Sequence, residues 1–204
     1  MTSNLLVKRM NRGHLLSMAF LACAASACAD AAVEREAKAR IQPTYDSASG
    51  RLTKLDYDAN KNGKPDTWAY MDGPRLIRLE ADENEDGRID RWEYYPAVPA
   101  AGASLAAIAK QTPERIERST RPDGQVSRRE FFEGAQMVRV EEDTDGNGAT
   151  DKWETYSDGA LTVLALDTSG RGKPDRRLIY RPDGSLDYVE ADADGAGNFQ
   201  RVKS

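Results

Sequence analysis

Apolar and polar positions alternate in short runs along most of the chain. Residues 51–57 (RLTKLDY), 66–70 (DTWAY), 75–81 (RLIRLEA), 92–95 (WEYY), 125–132 (QVSRREFF) and 137–142 (MVRVEE) follow a period of two or carry aromatic and β-branched residues. Such runs predict strands. Asp72-Gly73, Asp123-Gly124, Asp158-Gly159 and Asp183-Gly184 are hairpin-turn dipeptides. The predicted fold class is all-β, a repetitive antiparallel β-hairpin meander with long loops on one edge and short turns on the other. Trp68, Trp92 and Trp153 stand at equivalent places, and Tyr70 and Tyr94 follow two residues after the first two. Period-two spacing puts each Trp–Tyr pair on one face. The stripe reads as the core of a thin β protein, with an exposed platform for sugar or peptide as the alternative.

The long loops repeat. Residues 82–93 (DENEDGRIDRWE) carry oxygen side chains at positions 1, 3, 5, 9 and 12 and glycine at 6. That is the D-x-[DN]-x-[DN]-G calcium-loop pattern, in which alternate side chains converge on one centre and glycine lets the backbone reverse. The pattern recurs from Asp58, 24 residues upstream, from Asp143, from Asp167, 24 residues further on, and in frayed form from Asp192. A fixed period identifies a repeat architecture.

Charge ranks the loops. Over twelve positions the Asp82 loop has net charge −4, the Asp143 loop −3, the Asp58 loop 0 and the Asp167 loop +2. Calcium affinity follows ligand charge and number, so metal is expected in the Asp82 and Asp143 loops, more weakly in the Asp58 loop, and not in the Asp167 loop. Asx-rich turns without metal are the blander alternative.

The loops resemble those of EF-hand-like proteins and of secreted repeats that reuse D-x-D-x-D-G without EF-hand helices, over about twelve residues at a time. The resemblance implies calcium ligation by Asp82, Asn84, Asp86, Asp90 and Glu93, with the backbone carbonyl of Arg88. It implies the same of Asp143, Asp145, Asn147, Asp151 and Glu154, with the carbonyl of Ala149. A weaker set is Asp58, Asn60, Asn62 and Asp66, with Lys64 at the carbonyl position. The flanks read as strands rather than helices. Since strand neighbours alternate between faces, Glu93 stands on the opposite side from Asp90, which counts against the position-12 role. Asp56, Glu80, Glu141 and Glu190 each precede a loop by two residues and are expected to pair with arginines across strands.

The N-terminus reads as an export leader. Residues 1–14 contain Lys8, Arg9 and Arg12 and no acid, and residues 15–27 are apolar and Ala-rich. This is a charged n-region and an h-region too short to span a bilayer. The run ends in Ala25, Ser26 and Ala27 before Cys28, which resembles a bacterial lipoprotein leader and implies lipidation at Cys28, with Cys23 as the alternative. The expected location is the bacterial cell envelope, anchored to the membrane through that lipid; secretion as a soluble protein is the alternative. Residues 28–44 read as a tether, 45–95 as two repeat units, 96–113 as an Ala- and Pro-rich insert with a short helix favoured over a connector, and 114–204 as units three to five, starting with a degenerate one in which short hairpins replace the long loop.

Composition narrows the function. Both cysteines and the only histidine lie in or beside the leader. The remainder lacks the parts for a zinc site, a Ser-His-Asp triad or a Cys-His pair, and oxygen ligands favour hard cations such as calcium. Without residues 1–27 there are 26 basic against 34 acidic residues, net −8, a poor balance for nucleic-acid binding. The sequence reads as a non-enzymatic calcium-binding structural or binding module with a protein or polysaccharide partner. A metal-free interaction scaffold is the runner-up. A carbohydrate-active enzyme ranks last, because no pair of carboxylates stands apart from the repeat.

Overall fold

A computed structural model describes residues 38–96 and 111–203. The leader, Cys23, Cys28 and the helix expected in the insert fall outside the described residues. The strands are β1 (Ile41–Tyr45), β2 (Leu52–Tyr57), β3 (Thr67–Asp72), β4 (Arg75–Ala81), β5 (Arg91–Tyr94), β6 (Arg115–Arg118), β7 (Arg128–Glu133), β8 (Gln136–Glu142), β9 (Lys152–Ser157), β10 (Ala160–Leu166), β11 (Arg176–Tyr180), β12 (Leu186–Ala191) and β13 (Gln200–Arg201). Each pairs antiparallel with the next, in one open sheet whose order is the chain order. The all-β meander is therefore present. β1 starts inside the segment read as tether, and its Pro43 is tolerated because the strand lies at the sheet edge. No helix among the described residues is long and apolar enough to cross a membrane.

Connections alternate between two edges. Short turns join β3 to β4, β7 to β8 and β9 to β10; the last has positive φ at both Asp158 and Gly159, as a two-residue type I′ turn requires. The opposite edge carries the long loops 58–66, 82–90, 143–151, 167–175 and 192–199. It also carries 119–127, where the sequence reading placed a short hairpin at Asp123-Gly124. This segment is a nine-residue loop of the same construction. The amide of Ser127 donates to the Arg118 carbonyl, as Asp66 donates to Tyr57, Asp90 to Ala81 and Asp151 to Glu142. Ser119 and Ser127 thus occupy the positions where the other loops have aspartates.

The sheet is one layer, and among the described residues no second layer covers it. Buried apolar residues are few: Met71, Ala81, Tyr95, Val140 and Ala165. The three tryptophans are only half-buried, so the aromatic stripe is not the enclosed core that the sequence suggested. Register makes it a ladder instead. Asp56, Trp68, Glu80, Trp92, Glu117, Arg129, Glu141 and Trp153 stand directly opposite one another on successive strands. Beside them Lys54, Tyr70, Arg78, Tyr94, Arg115, Phe131 and Arg139 form a second row in which cations and rings alternate. Arg78 lies 4.4 Å from the Tyr70 ring centroid, Arg115 4.1 Å from Tyr94 and Arg139 3.9 Å from Phe131. Such cation–π and cross-strand contacts each contribute on the order of 0.5 kcal/mol. They stabilise a sheet that has little apolar interior.

The expected pairing of the acids ahead of the loops with arginines across strands is replaced by pairs two residues apart on one strand: Asp56 with Lys54 at 2.8 Å, Glu80 with Arg78 at 3.1 Å and Glu141 with Arg139 at 2.6 Å.

The other face carries a chain of charges across β5 to β9. Tyr95 donates to Glu93 at 2.5 Å, and Arg91 lies 3.5 Å from Glu93 and 3.2 Å from Glu83. Arg118 links Glu83 to Glu130, Arg128 links Glu130 to Glu142, and Lys152 links Glu142 to Glu154. Tyr156 closes the chain by donating to Glu154 at 2.8 Å. Glu93 is 1% exposed and lies in register between Leu79 and Ile116. A buried carboxylate needs such partners to stay in place.

Candidate metal loops

Each loop is closed first by its own Asx side chains. In the 58–66 loop Asp58 accepts the amides of Lys61, Asn62 and Gly63, and Asp66 accepts those of Ala59 and Asn60. Position 3 then accepts the amide of position 5, and position 5 that of position 7. Asn60 and Asn62 do so in the first loop, Asn84 and Asp86 in the second, Asp145 and Asn147 in the 143–151 loop. Loop closure is therefore local hydrogen bonding by Asx residues. Positions 4 and 6 are left-handed: position 4 is Lys61, Glu85 or Gly146, with φ between 60° and 85°, and position 6 is glycine with φ near 88° in these three loops. The second left-handed position has no counterpart in the sequence pattern used to find the loops.

The loops are also tied to one another. The amide of each loop's first residue donates to the carbonyl of the preceding loop's ninth: Asp82 to Asp66, Ser119 to Asp90, Asp143 to Ser127, Asp167 to Asp151 and Asp192 to Asp175. Consecutive loops therefore sit two strands apart, about 10 Å. Glu85 accepts from Asn60 and, at 2.8 Å, from Asn62, joining the first loop to the second. Arg88 donates to the Pro122 carbonyl at 2.6 Å.

Asp143, Asp145 and Asp151 come together, each offering a carboxylate oxygen within 4.8 Å of the others. This group could hold a metal ion. Like charges at that spacing repel by about 1–3 kcal/mol per pair for effective dielectrics of 80 to 20, and a cation would relieve it. Burial alone would raise Asp143, but the amides of Gly146 and Gly148 and the Arg121 guanidinium hold its carboxyl below the usual range. A groove of about 300 Å³ runs between this loop and the next, lined by Asp145, Asn147, Asp151 and Asp167.

The 82–90 loop differs. Asn84 donates its amide to Asp90 at 2.9 Å, so a neutral donor stands where the later loop has Asp145. Asp82 accepts the Gly87 amide on Oδ2, while its buried Oδ1 has no hydrogen-bond partner. Asp58, Asp143 and Asp167 have both oxygens engaged, whereas Asp192 shares the unpartnered Oδ1 in a loop that has Ala196 at position 5. Burial would also raise Asp167, yet the amides of Arg171, Gly172 and Ser169 and the Ser169 hydroxyl bring it down to about 2.

The position-12 glutamates are not part of these clusters. Glu93 and Glu154 point to the opposite face, into the charge chain, because three residues along a strand from Asp90 or Asp151 reverses the side-chain direction. The position-7 residues Lys64, Arg88 and Ala149 are engaged through their amides, as above. The sequence reading missed the 119–127 loop and Arg121. One signal was available: Ser119 lies 24 residues before Asp143, but the insert breaks the count from Asp82.

No family model matches the chain, and no curated protein sequence matches it. Among solved structures, the GtfA/B complex bound to UDP and GlcNAc is similar over 45% of this chain and 22% of its own, at 18% identity and a TM-score of 0.33. The chain thus spans about a fifth of that structure's length, and a likeness at this level carries nothing about activity.

Proposed function

We propose that the protein is an exported, lipid-anchored, calcium-binding β-repeat module of the bacterial cell envelope, with a structural or binding role rather than a catalytic one. The observation that carries the calcium reading is the convergence of Asp143, Asp145 and Asp151 on one centre. The oxygen-only donor set, with Asp143 buried and Asp145 exposed, suits a hard cation, and the unpartnered oxygen of Asp82 supports a second site. Export and anchoring rest on the charged and apolar leader and Cys28. A non-catalytic role rests on the acids being used by loop closure and ion pairs. The alternative, a metal-free interaction scaffold, is favoured at the 58–66 and 167–175 loops, where position 3 is Asn60 or Ser169 and no group of three carboxylates converges. The single-layer sheet leaves its Trp–Tyr ladder half-buried, which fits a protein or polysaccharide partner.

The test is thermal unfolding in millimolar calcium, in magnesium and in chelator. One site at a hundred times its dissociation constant adds about 2.7 kcal/mol, a rise of several degrees at this size. Asp82→Ala with Asp143→Ala removes most of the rise, and Asp167→Ala leaves it. No calcium-specific shift refutes the proposal in favour of the scaffold.

A further inference from the structure

We infer that Arg121 is an internal cation standing in for a divalent ion at the 143–151 loop, so that the 82–90 loop fills first and the 143–151 loop binds only as the guanidinium leaves Asp143. The inference rests on the calcium reading above and names how the two sites are ordered.

Arg121 occupies position 3 of the 119–127 loop. The matching residues elsewhere are oxygen donors: Asn60, Asn84, Asp145, Ser169 and Asp194. Where Asn84, Asp145, Ser169 and Asp194 bond within their own loops, Arg121 reaches into the next one. Its Nη1 donates to Asp143 Oδ2 at 3.1 Å and its Nη2 to the Asp143 carbonyl. The guanidinium also lies over Gly146: a Cβ there would come within 3.3 Å of Arg121 Cζ. A side chain at Gly146 would crowd the guanidinium and shift it by a few tenths of an ångström. Asp143 is the first ligand position of the one group of three carboxylates found together among the described residues. A guanidinium on that carboxylate supplies the countercharge that an ion would otherwise supply.

The 82–90 loop has the opposite arrangement. Asp82 is 9% exposed, and its Oδ1 is shielded from solvent without a donor. A buried carboxylate oxygen with no partner is a costly defect that a bound cation removes. The loop's own cation is turned away, since Arg88 donates to the Pro122 carbonyl of the neighbouring loop. One loop therefore presents an unfilled acceptor, and the other an acceptor already taken by a residue of the chain. Calcium entering the second must displace a charge-assisted pair that has no equivalent in the first.

Calorimetric calcium titration of the wild type, Asp82→Asn, Arg121→Gln and the double variant tests this. The wild type is expected to show a tighter and a weaker site. Asp82→Asn removes the tighter one. Adding Arg121→Gln to Asp82→Asn strengthens the remaining site roughly tenfold, the scale of one charge-assisted pair. Arg121→Lys, which keeps the charge, falls between. Melting supplies a second readout. In chelator Arg121→Gln melts below the wild type because Asp143 has lost its partner, and in saturating calcium the gap closes or reverses. Equal or weaker affinity in the double variant, or the same melting gap in both conditions, overturns the role of Arg121 while leaving calcium binding intact. Absence of calcium binding in every protein, the wild type included, overturns the calcium reading and this inference with it.

Discussion

A double-mutant cycle on Glu93 and Tyr95 probes how a single-layer sheet holds a carboxylate that is 1% exposed. Tyr95 donates to Glu93 at 2.5 Å, and both side chains are buried. Burial and the adjoining carboxylate push the Tyr95 hydroxyl well above its ordinary pKa, so it stays a donor throughout the working range. Tyr95→Phe keeps the ring but removes the charge-assisted hydrogen bond, at a cost of about 1.5–3 kcal/mol. Glu93→Leu leaves the Tyr95 hydroxyl without its acceptor, costing about 1–3 kcal/mol. That cost is partly offset by an apolar side chain in register between Leu79 and Ile116. Arg91 does not become an orphan, because Glu83 stays 3.2 Å away. The double variant removes donor and acceptor together, and replacing a buried polar pair by apolar groups is close to neutral. The expected coupling is therefore about 3 kcal/mol, at the upper end for neighbours in one network. For a domain of this size, 1 kcal/mol moves the melting temperature by about 2–4 °C. Each single variant should melt roughly 4–8 °C below the wild type, and the double variant within about 3 °C of it. Circular-dichroism melts in chelator measure all four proteins. If the double variant falls by the sum of the two singles, Glu93 and Tyr95 are independent and the pairing account fails.

Two further outcomes follow from the loops and the charge chain. Gly146 and Lys61 share position 4 with φ of 85° and 70°. Gly146→Ala adds strain beside Arg121 and should cost roughly 1–3 kcal/mol, whereas Lys61→Gly relieves strain and should gain up to about 1 kcal/mol; urea unfolding gives both signs, and a destabilised Lys61→Gly would refute the shared backbone. Acid should unfold the calcium-free protein only below about pH 4, the unfolded carboxylate range. Burial would raise Glu154, but Lys152, Tyr156 and Arg128 lower it, while Asp143 and Asp175 are lowered and Asp167 is brought to about 2. Groups lowered in the folded state contribute stability that is present above their unfolded values and lost as pH falls through the folded ones. An acid titration followed by circular dichroism checks this, and a transition centred above pH 5 contradicts it.

Local features of the chain determined the strands, the Asx-closed loops and the 24-residue spacing, because each depends on residues within one turn or one strand of each other. Asp58, Asp82, Asp143 and Asp167 could be placed as loop openers without a structure, and alternation along a strand already argued that Glu93 faces away from Asp90. Tertiary structure decided what depends on register between strands. Leu79, Glu93 and Ile116 become neighbours only when β4, β5 and β6 are aligned, and only then do Glu83, Arg118, Glu130 and Arg128 form one charge chain. The 119–127 loop was hidden because serines replace its aspartates and the insert displaces it from the period. Arg121 meets Asp143, 22 residues away, because two strands return the chain to the same edge about 10 Å on, a distance that a long basic side chain spans and an aspartate does not.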